Sequence, residues 1–181
     1  YAGAFAFAAY RSALGAFTLF LIMLSTRPRG GFPPFGPTLL LGLLQTAGFT
    51  LLMNLALISG GAGKVAVLAF TMPFWTLIWA RLVLGERIVG AQWLAILLAA
   101  CGLLAIIDPL HMHGSLTSKL LAVLAGVTWA AATVYAKKLR AHIKIDVLAL
   151  TAWQMALGTL PLLLIAWIVP QRPVNPAPYF W

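Results

Sequence analysis

Apolar residues in this chain come in long blocks, separated by short stretches of proline, glycine and charge. Six blocks follow one another, at residues 4–24, 38–58, 65–84, 88–107, 116–136 and 147–169. Each is close to the roughly 20 residues with which a helix crosses a ~30 Å hydrocarbon core. Inside lipid every backbone polar group must find its partner within the protein, which leaves helices or closed barrels. Barrel strands show short segments of alternating polarity, whereas these blocks are apolar throughout. The pattern therefore predicts an all-α polytopic membrane protein with six transmembrane helices visible. The connection at 59–64 is so short that the second and third helices must be antiparallel neighbours. The stretch 170–178 carries four prolines and ends the sixth helix.

Composition supports this reading. The 181 residues are 62% hydrophobic and 8% charged, against about 25% charged residues in soluble domains. Twelve Lys and Arg outweigh three Asp and Glu, giving a net charge of +9. In a soluble domain that balance would point to nucleic acid. Here the cations sit between the apolar blocks, so they read as topology signals facing lipid head groups, and no nucleic-acid partner is expected. The loops after blocks one, three and five hold eight cations: Arg27, Arg29, Arg81, Arg87, Lys137, Lys138, Arg140 and Lys144. The loops after blocks two, four and six hold three, Lys64, Lys119 and Arg172. The positive-inside rule places the first set, with the Arg27, Arg87 and Lys137 loops, in the cytoplasm. Cys101 stands alone, which excludes an intrachain disulfide.

An internal repeat is visible. Residues 9–22 laid over 152–165, an offset of 143 (152 − 9), match at seven of fourteen positions, including Ala13-Leu14-Gly15 with Ala156-Leu157-Gly158. The matched segments belong to the first and sixth blocks. Their separation by five helices reverses the orientation, as in the inverted repeats of transporters with a midplane site. The chain opens inside an apolar run and closes at what reads as the start of another, so a longer protein of about 290 residues, twice the repeat offset, is expected.

Few polar residues lie inside the blocks, and each has two readings. Arg11 sits roughly 10 Å deep, where it either meets an anionic group in a cavity or bonds backbone carbonyls and snorkels outward. Gln154 occupies the equivalent position in the matched helix (11 + 143 = 154) and either contacts substrate or joins helices. Gln45 and Asn54 are nine residues apart, which puts them on opposite faces of a regular helix. Thr71, Pro73, Trp75 and Thr76 form the polar and aromatic part of the third block. Pro73 removes the donor to the Ala69 carbonyl, which marks a hinge or a tolerated kink. Trp75 and Trp129 offer aromatic walls for a substrate. The candidate substrate-binding set is therefore Trp75, Thr71, Trp129, Asn54, Gln45, Arg11 and Gln154, with Pro73 as the hinge.

Other chemistry is thin. Glu86 lies at a helix end beside Arg87 and one turn beyond Arg81, where it is expected to pair with an arginine or cap a helix. It is too shallow for a proton-coupling carboxylate. His111 and His113, with Asp108 nearby, read as a solvated loop, so no metal site and no cofactor is expected. No His or Asp lies inside an apolar block, so the Ser/His, paired-Asp and zinc constellations of intramembrane enzymes are absent. Small residues at Ala91, Ala95 and Ala99, and at Ala122, Gly126 and Ala130, read as helix-packing stripes. The predicted function is transport of small molecules. A membrane assembly or receptor subunit without transport is the alternative, and homo-oligomers are compatible with either.

The stretch 66–106 resembles the EamA-like pattern of the drug/metabolite transporter superfamily. The resemblance rests on Pro73 within its helix, Gly85-Glu86-Arg87 at the helix end, Gln92 after a short turn and Gly102 late in the next helix. The opening Ala8-Ala9-Tyr10-Arg11-Ser12-Ala13-Leu14-Gly15 is similar to that family's second helix, and residues 146–167 to its seventh. The resemblance implies a bundle of ten helices in two inverted five-helix repeats, of which this chain supplies helices two to seven. Residues 1–107 would then be the last four helices of the first repeat, and 108–181 the first two of the second. It also implies an exporter of metabolites or drugs in the bacterial inner (plasma) membrane, working by alternating access through a central cavity.

Overall fold

A computed structural model of the protein describes residues 3–26, 32–87, 90–107 and 115–169. Among these residues the regular structure is all helical. It comprises α1 (Ala4–Thr26), α2 (Phe35–Gly42), a π-helical segment (Leu43–Gly48), α3 (Phe49–Ser59), α4 (Ala62–Ala69), α5 (Met72–Leu84), α6 (Gly90–Ile107), α7 (Leu116–His142) and α8 (Val147–Ile168). Five stretches are long and apolar enough to cross a bilayer: Ala4–Thr26, Phe35–Ile58, Ala62–Leu84, Leu116–His142 and Val147–Ile168. The fourth predicted block is α6, a helix of 18 residues. The protein is thus a polytopic helical membrane protein.

Three local expectations change. The third block is not one helix kinked at Pro73. It is two helices, α4 and α5, parted by a turn at Phe70 and Thr71, and Pro73 lies in the first turn of α5. A proline there is tolerated, because first-turn N–H groups have no acceptor within their own helix. The second block contains a π segment, which turns less per residue than an α-helix. The opposite-face expectation for Gln45 and Asn54 rested on regular α geometry, which the π segment holding Gln45 does not have. The fifth block was expected to end at Ala136, but α7 runs on to His142. Hydropathy finds where the apolar stretch stops, and Lys137, Lys138 and Arg140 are good helix formers that carry the helix beyond it.

The chain divides into two compact units, one of residues 1–47 and 144–181, the other of residues 48–143. In the first, α1 and α2 both pack on α8. Gly15 faces Met155 while Phe20 meets Trp153, so α1 and α8 run antiparallel. The buried side of α1 is made mostly of small residues, Ala8, Ala9, Ser12 and Ala16, at the spacing that lets helices approach closely, with Met23 buried near its end. Its large residues, Phe7, Tyr10, Leu14 and Phe17, are exposed. Trp153 closes the interface with edge contacts to Phe20 at 4.9 Å and Phe32 at 4.5 Å between ring centroids. Asp146 starts α8 by accepting a hydrogen bond from the Leu148 N–H at 3.0 Å. Gly42 of α2 and Gly158 of α8 touch backbone to backbone, since a Cβ on Gly42 would meet the Gln154 carbonyl and one on Gly158 would meet the Gly42 carbonyl.

In the second unit α3, α4 and α5 each pack on α7, and α6 contacts α4. Its core is Ala56, Val65, Leu68 and Ala122, with Met53, Leu121 and Val123 against it. Ser118 on α7 donates to the Ala56 carbonyl of α3 at 2.7 Å. Ala122, Gly126 and Ala130, the predicted small-residue stripe, are all buried on α7. The Ala91, Ala95 and Ala99 side chains lie outside the described residues.

The two glycines of the matched Ala-Leu-Gly motifs differ in what surrounds them. At Gly15 an added methyl meets the flexible end of Met155, whereas at Gly158 it meets backbone. Gly158→Ala is expected to destabilise the protein by about 1–3 kcal/mol and Gly15→Ala by far less. Thermal unfolding of both variants in detergent checks this, and equal midpoints would contradict the packing.

Candidate functional site

The site is built around the interruption between α4 and α5, near the middle of the third membrane-crossing stretch. Phe70 still donates to the Ala66 carbonyl at 2.9 Å, as in a helix. Thr71 then bonds back three residues, to Leu68 at 3.2 Å, and Phe74 restarts the pattern from the Thr71 carbonyl at 3.0 Å. The Ala69 carbonyl has no partner four residues on, because residue 73 is proline.

Thr71 holds the interruption together. Its hydroxyl donates to the Leu68 carbonyl at 2.7 Å and accepts from Trp75 Nε1 at 3.2 Å. The hydroxyl therefore covers a helix-end carbonyl and fixes the indole ring of the next turn in one motion. Opposite stands Gly126 of α7. A Cβ there would lie 3.0 Å from the Ala69 oxygen, 3.4 Å from Thr71 Oγ1 and 3.6 Å from the Met72 nitrogen. Only a residue without a side chain lets α7 cover this irregular backbone so closely.

One turn further along α7, Trp129 meets Phe49 of α3 with ring centroids 4.9 Å apart at 62°. Thr71 and Trp75 are four residues apart on one side of α5, and Gly126 and Trp129 three apart on one side of α7. In unit two Thr71 and Trp75 thus belong to the interruption, and Trp129, with the Phe49 ring against it, lies one turn along α7 from the Gly126 that covers it. Phe49 was not among the sequence candidates. Its only signal is its place on the α3 stripe with Met53 and Ala56, which is indistinguishable in sequence from ordinary core spacing. No acidic or basic side chain occurs in residues 49–58, 65–80 or 120–136. These segments therefore present aromatic surface and backbone polarity and no charged side chain.

The remaining candidates lie elsewhere. Asn54 is on α3, about 140° around the helix from Phe49, and its Nδ2 is buried without a hydrogen-bond partner among the described residues. Gln154 is buried on α8 in the first unit, and its Oε1 likewise has no partner there. Gln45 is half-buried in the π segment. Arg11 is exposed on α1, beside the exposed Tyr10 and away from the small-residue side. Glu86 does not pair with a neighbouring arginine as expected, but forms an ion pair with Lys137 of α7. The α5–α7 packing that decides this is invisible in local sequence. A groove of about 730 Å³ in the first unit is lined mainly by Leu19, Ile22, Ile145 and Leu148, and its walls hold none of the candidates. Asp108, His111 and His113 lie outside the described residues, and among those described no group of His, Cys, Asp and Glu could hold a metal ion.

Comparison with known proteins bears on this geometry. The EamA-like transporter family matches residues 1–108 and again 116–181. The chain belongs to this family. A curated relative is the "Uncharacterized transporter YoaV" of Bacillus subtilis (strain 168), 24% identical over 172 residues. That match covers 92% of the chain and 58% of the relative, so the chain spans little more than half the length of that protein. No solved structure matches. An EamA-like chain accounts for the apolar helices, and the residues that carried the resemblance, Pro73 and Gly85-Glu86-Arg87, bound the α5 helix described above.

Thr71→Val keeps the side-chain shape but removes both hydrogen bonds, leaving Trp75 Nε1 without an acceptor. The expected cost is about 1–3 kcal/mol, with Thr71→Ser close to neutral. Chemical denaturation of the two variants separates them, and a valine variant as stable as the serine one would show that the hydroxyl is not the staple.

Proposed function

We propose that the protein carrying this chain is a transporter that exports small metabolites or drugs, by alternating access through a central cavity between two inverted repeats. Family membership supports transport as the class and favours it over an enzymatic role. The observation that carries the site is the interrupted third stretch, where Thr71 lies against Gly126 and holds Trp75 by a hydrogen bond. Discontinuous helices near the midplane are where transporters of this general design place their substrates. Trp75 and Trp129 serve as the aromatic wall, Thr71 as the positioning group for Trp75, and the turn before Pro73 as the hinge. Because the Trp75 N–H is already bonded, the ring face is what a substrate meets. Asn54, Gln45 and Gln154 are secondary contacts, and Arg11 is a structural residue.

The repeat reading has two supports. The family matches in two successive segments, 1–108 and 116–181, close to the division of the chain at 107 and 108 into parts of a first and a second repeat. The helices that carry the matched sequence, α1 and α8, pack antiparallel. On this reading the Arg27, Arg87 and Lys137 loops face the cytoplasm of a bacterial cell and the protein resides in its inner membrane.

The test is flux into proteoliposomes that contain the full-length protein, with a panel of amino acids, purines and cationic drugs. Saturable flux is expected, reduced about tenfold or more in Trp75→Ala by loss of the aromatic contact, and retained in Arg11→Ala. Absence of flux for every compound, from protein shown to be folded, would overturn the transport reading. Flux unaffected by Trp75→Ala would move the site away from the interruption.

A further inference from the structure

The groove of about 730 Å³ in the first unit opens between the end of α1 and the start of α8. Leu19, Ile22 and Thr26 line it from α1, where spacings of three and four residues put them on one side of the helix. Asp146, Leu148 and Thr151 line it from the N-cap and first turns of α8. Most of the wall is apolar, and Asp146 is the one charged side chain on it among the described residues. It is also the only acid in the sequence of that unit, residues 1–47 and 144–181. Lys144, exposed two residues earlier, is not part of the wall.

The polar side chains of this wall offer acceptors. The Thr26 hydroxyl spends its hydrogen on the Ile22 carbonyl and the Thr151 hydroxyl on the Val147 carbonyl, each at 2.7 Å, so both keep only lone pairs to offer. Asp146 accepts the Leu148 N–H at 3.0 Å, and a carboxylate has no hydrogen to give. The volume falls in the range of roughly 300–1,000 Å³ that holds drug-sized molecules. We propose that the groove binds an amphiphilic amine, a protonated ammonium group on an apolar body. The ammonium meets the Asp146 carboxylate, and the apolar body lies along Leu19, Ile22 and Leu148. An alkylammonium group carries donors, positive charge and no acceptor, which is the complement of this wall. An anionic amphiphile would set its charge against Asp146. A zwitterionic lipid would bring a phosphate with its ammonium against the same acceptors, so the occupant is a simple cation.

The experiment is equilibrium binding of radiolabelled dodecylamine to the full-length protein in phosphatidylcholine nanodiscs, with empty nanodiscs measuring partition into lipid. It reads binding and not flux, so its outcome is separate from that of the transport assay. Saturable binding is expected, displaced by unlabelled dodecylamine but not by dodecanol or dodecyl sulfate. Asp146→Asn keeps the helix cap, because asparagine caps as well as aspartate, and should weaken binding about fivefold through loss of the charge. Ile22→Trp fills the groove and should weaken binding at least as much. Binding no greater than to empty nanodiscs would overturn the proposal, as would an asparagine variant equal to wild type or displacement by dodecyl sulfate as readily as by the amine. Loss of binding when phosphatidylethanolamine replaces phosphatidylcholine would also overturn it, by showing a lipid head-group site. Should Asp146→Asn fail to fold, Ile22→Trp and the three competitors carry the same test.

Discussion

A backbone carbonyl or amide that loses its helical partner inside a bilayer has to be covered by protein, because hydrocarbon offers nothing to bond with. This chain departs from regular α-helix at the π segment of the second stretch and at the turn between α4 and α5. Each departure is met by a glycine on a neighbouring helix. Thr46 of the π segment lies against Gly158, and the Ala69 carbonyl and Met72 nitrogen lie against Gly126. The glycines are the condition under which irregular backbone can exist in these helices at all.

The rest of the packing follows the same logic. Many contacts between helices are made by small side chains, Ala8, Ala9, Ser12 and Ala16 on α1 and Ala122, Ala125 and Ala130 on α7, while many large apolar side chains, such as Phe17 and Leu124, point outward. In water that distribution would be inverted. In lipid an outward leucine loses nothing, and close backbone approach supplies the van der Waals contact that holds helices together. Polar side chains are then left with two duties. Serine and threonine hydroxyls bond carbonyls within or between helices, as Ser118 does at Ala56 and Thr71 at Leu68. Charged groups gather at the helix ends, where Glu86 and Lys137 join α5 to α7.

The same constraint shapes what the second unit presents. A charge in the middle of the bilayer costs several kcal/mol, about 2.5–3.5 on insertion scales, and the second unit has none in the central parts of α3, α5 and α7. It offers aromatic rings from Phe49, Trp75 and Trp129, oriented by the Thr71 hydroxyl and by edge contact. Arg11, the one deep charge in the first stretch, is turned to the outside of α1, which fits the snorkelling reading better than a role inside the helix packing.

Sequence by itself determined the class of the protein, because a block of about 20 apolar residues has one stable form in a bilayer. It also identified the family, the small-residue stripe on α7, and the irregularity of the third stretch through Pro73. It could not say that Pro73 begins a helix instead of bending one. That depends on Thr71, whose hydroxyl satisfies Leu68 and so allows the turn. Nor could it separate Gly15 from Gly158, identical in motif, or predict that Glu86 reaches Lys137, 51 residues away, instead of its arginine neighbours. Phe49 and Gly126 reach the site for the same reason. Periodicity fixes which residues share a side of one helix, but only the packing of helices against each other decides what that side meets.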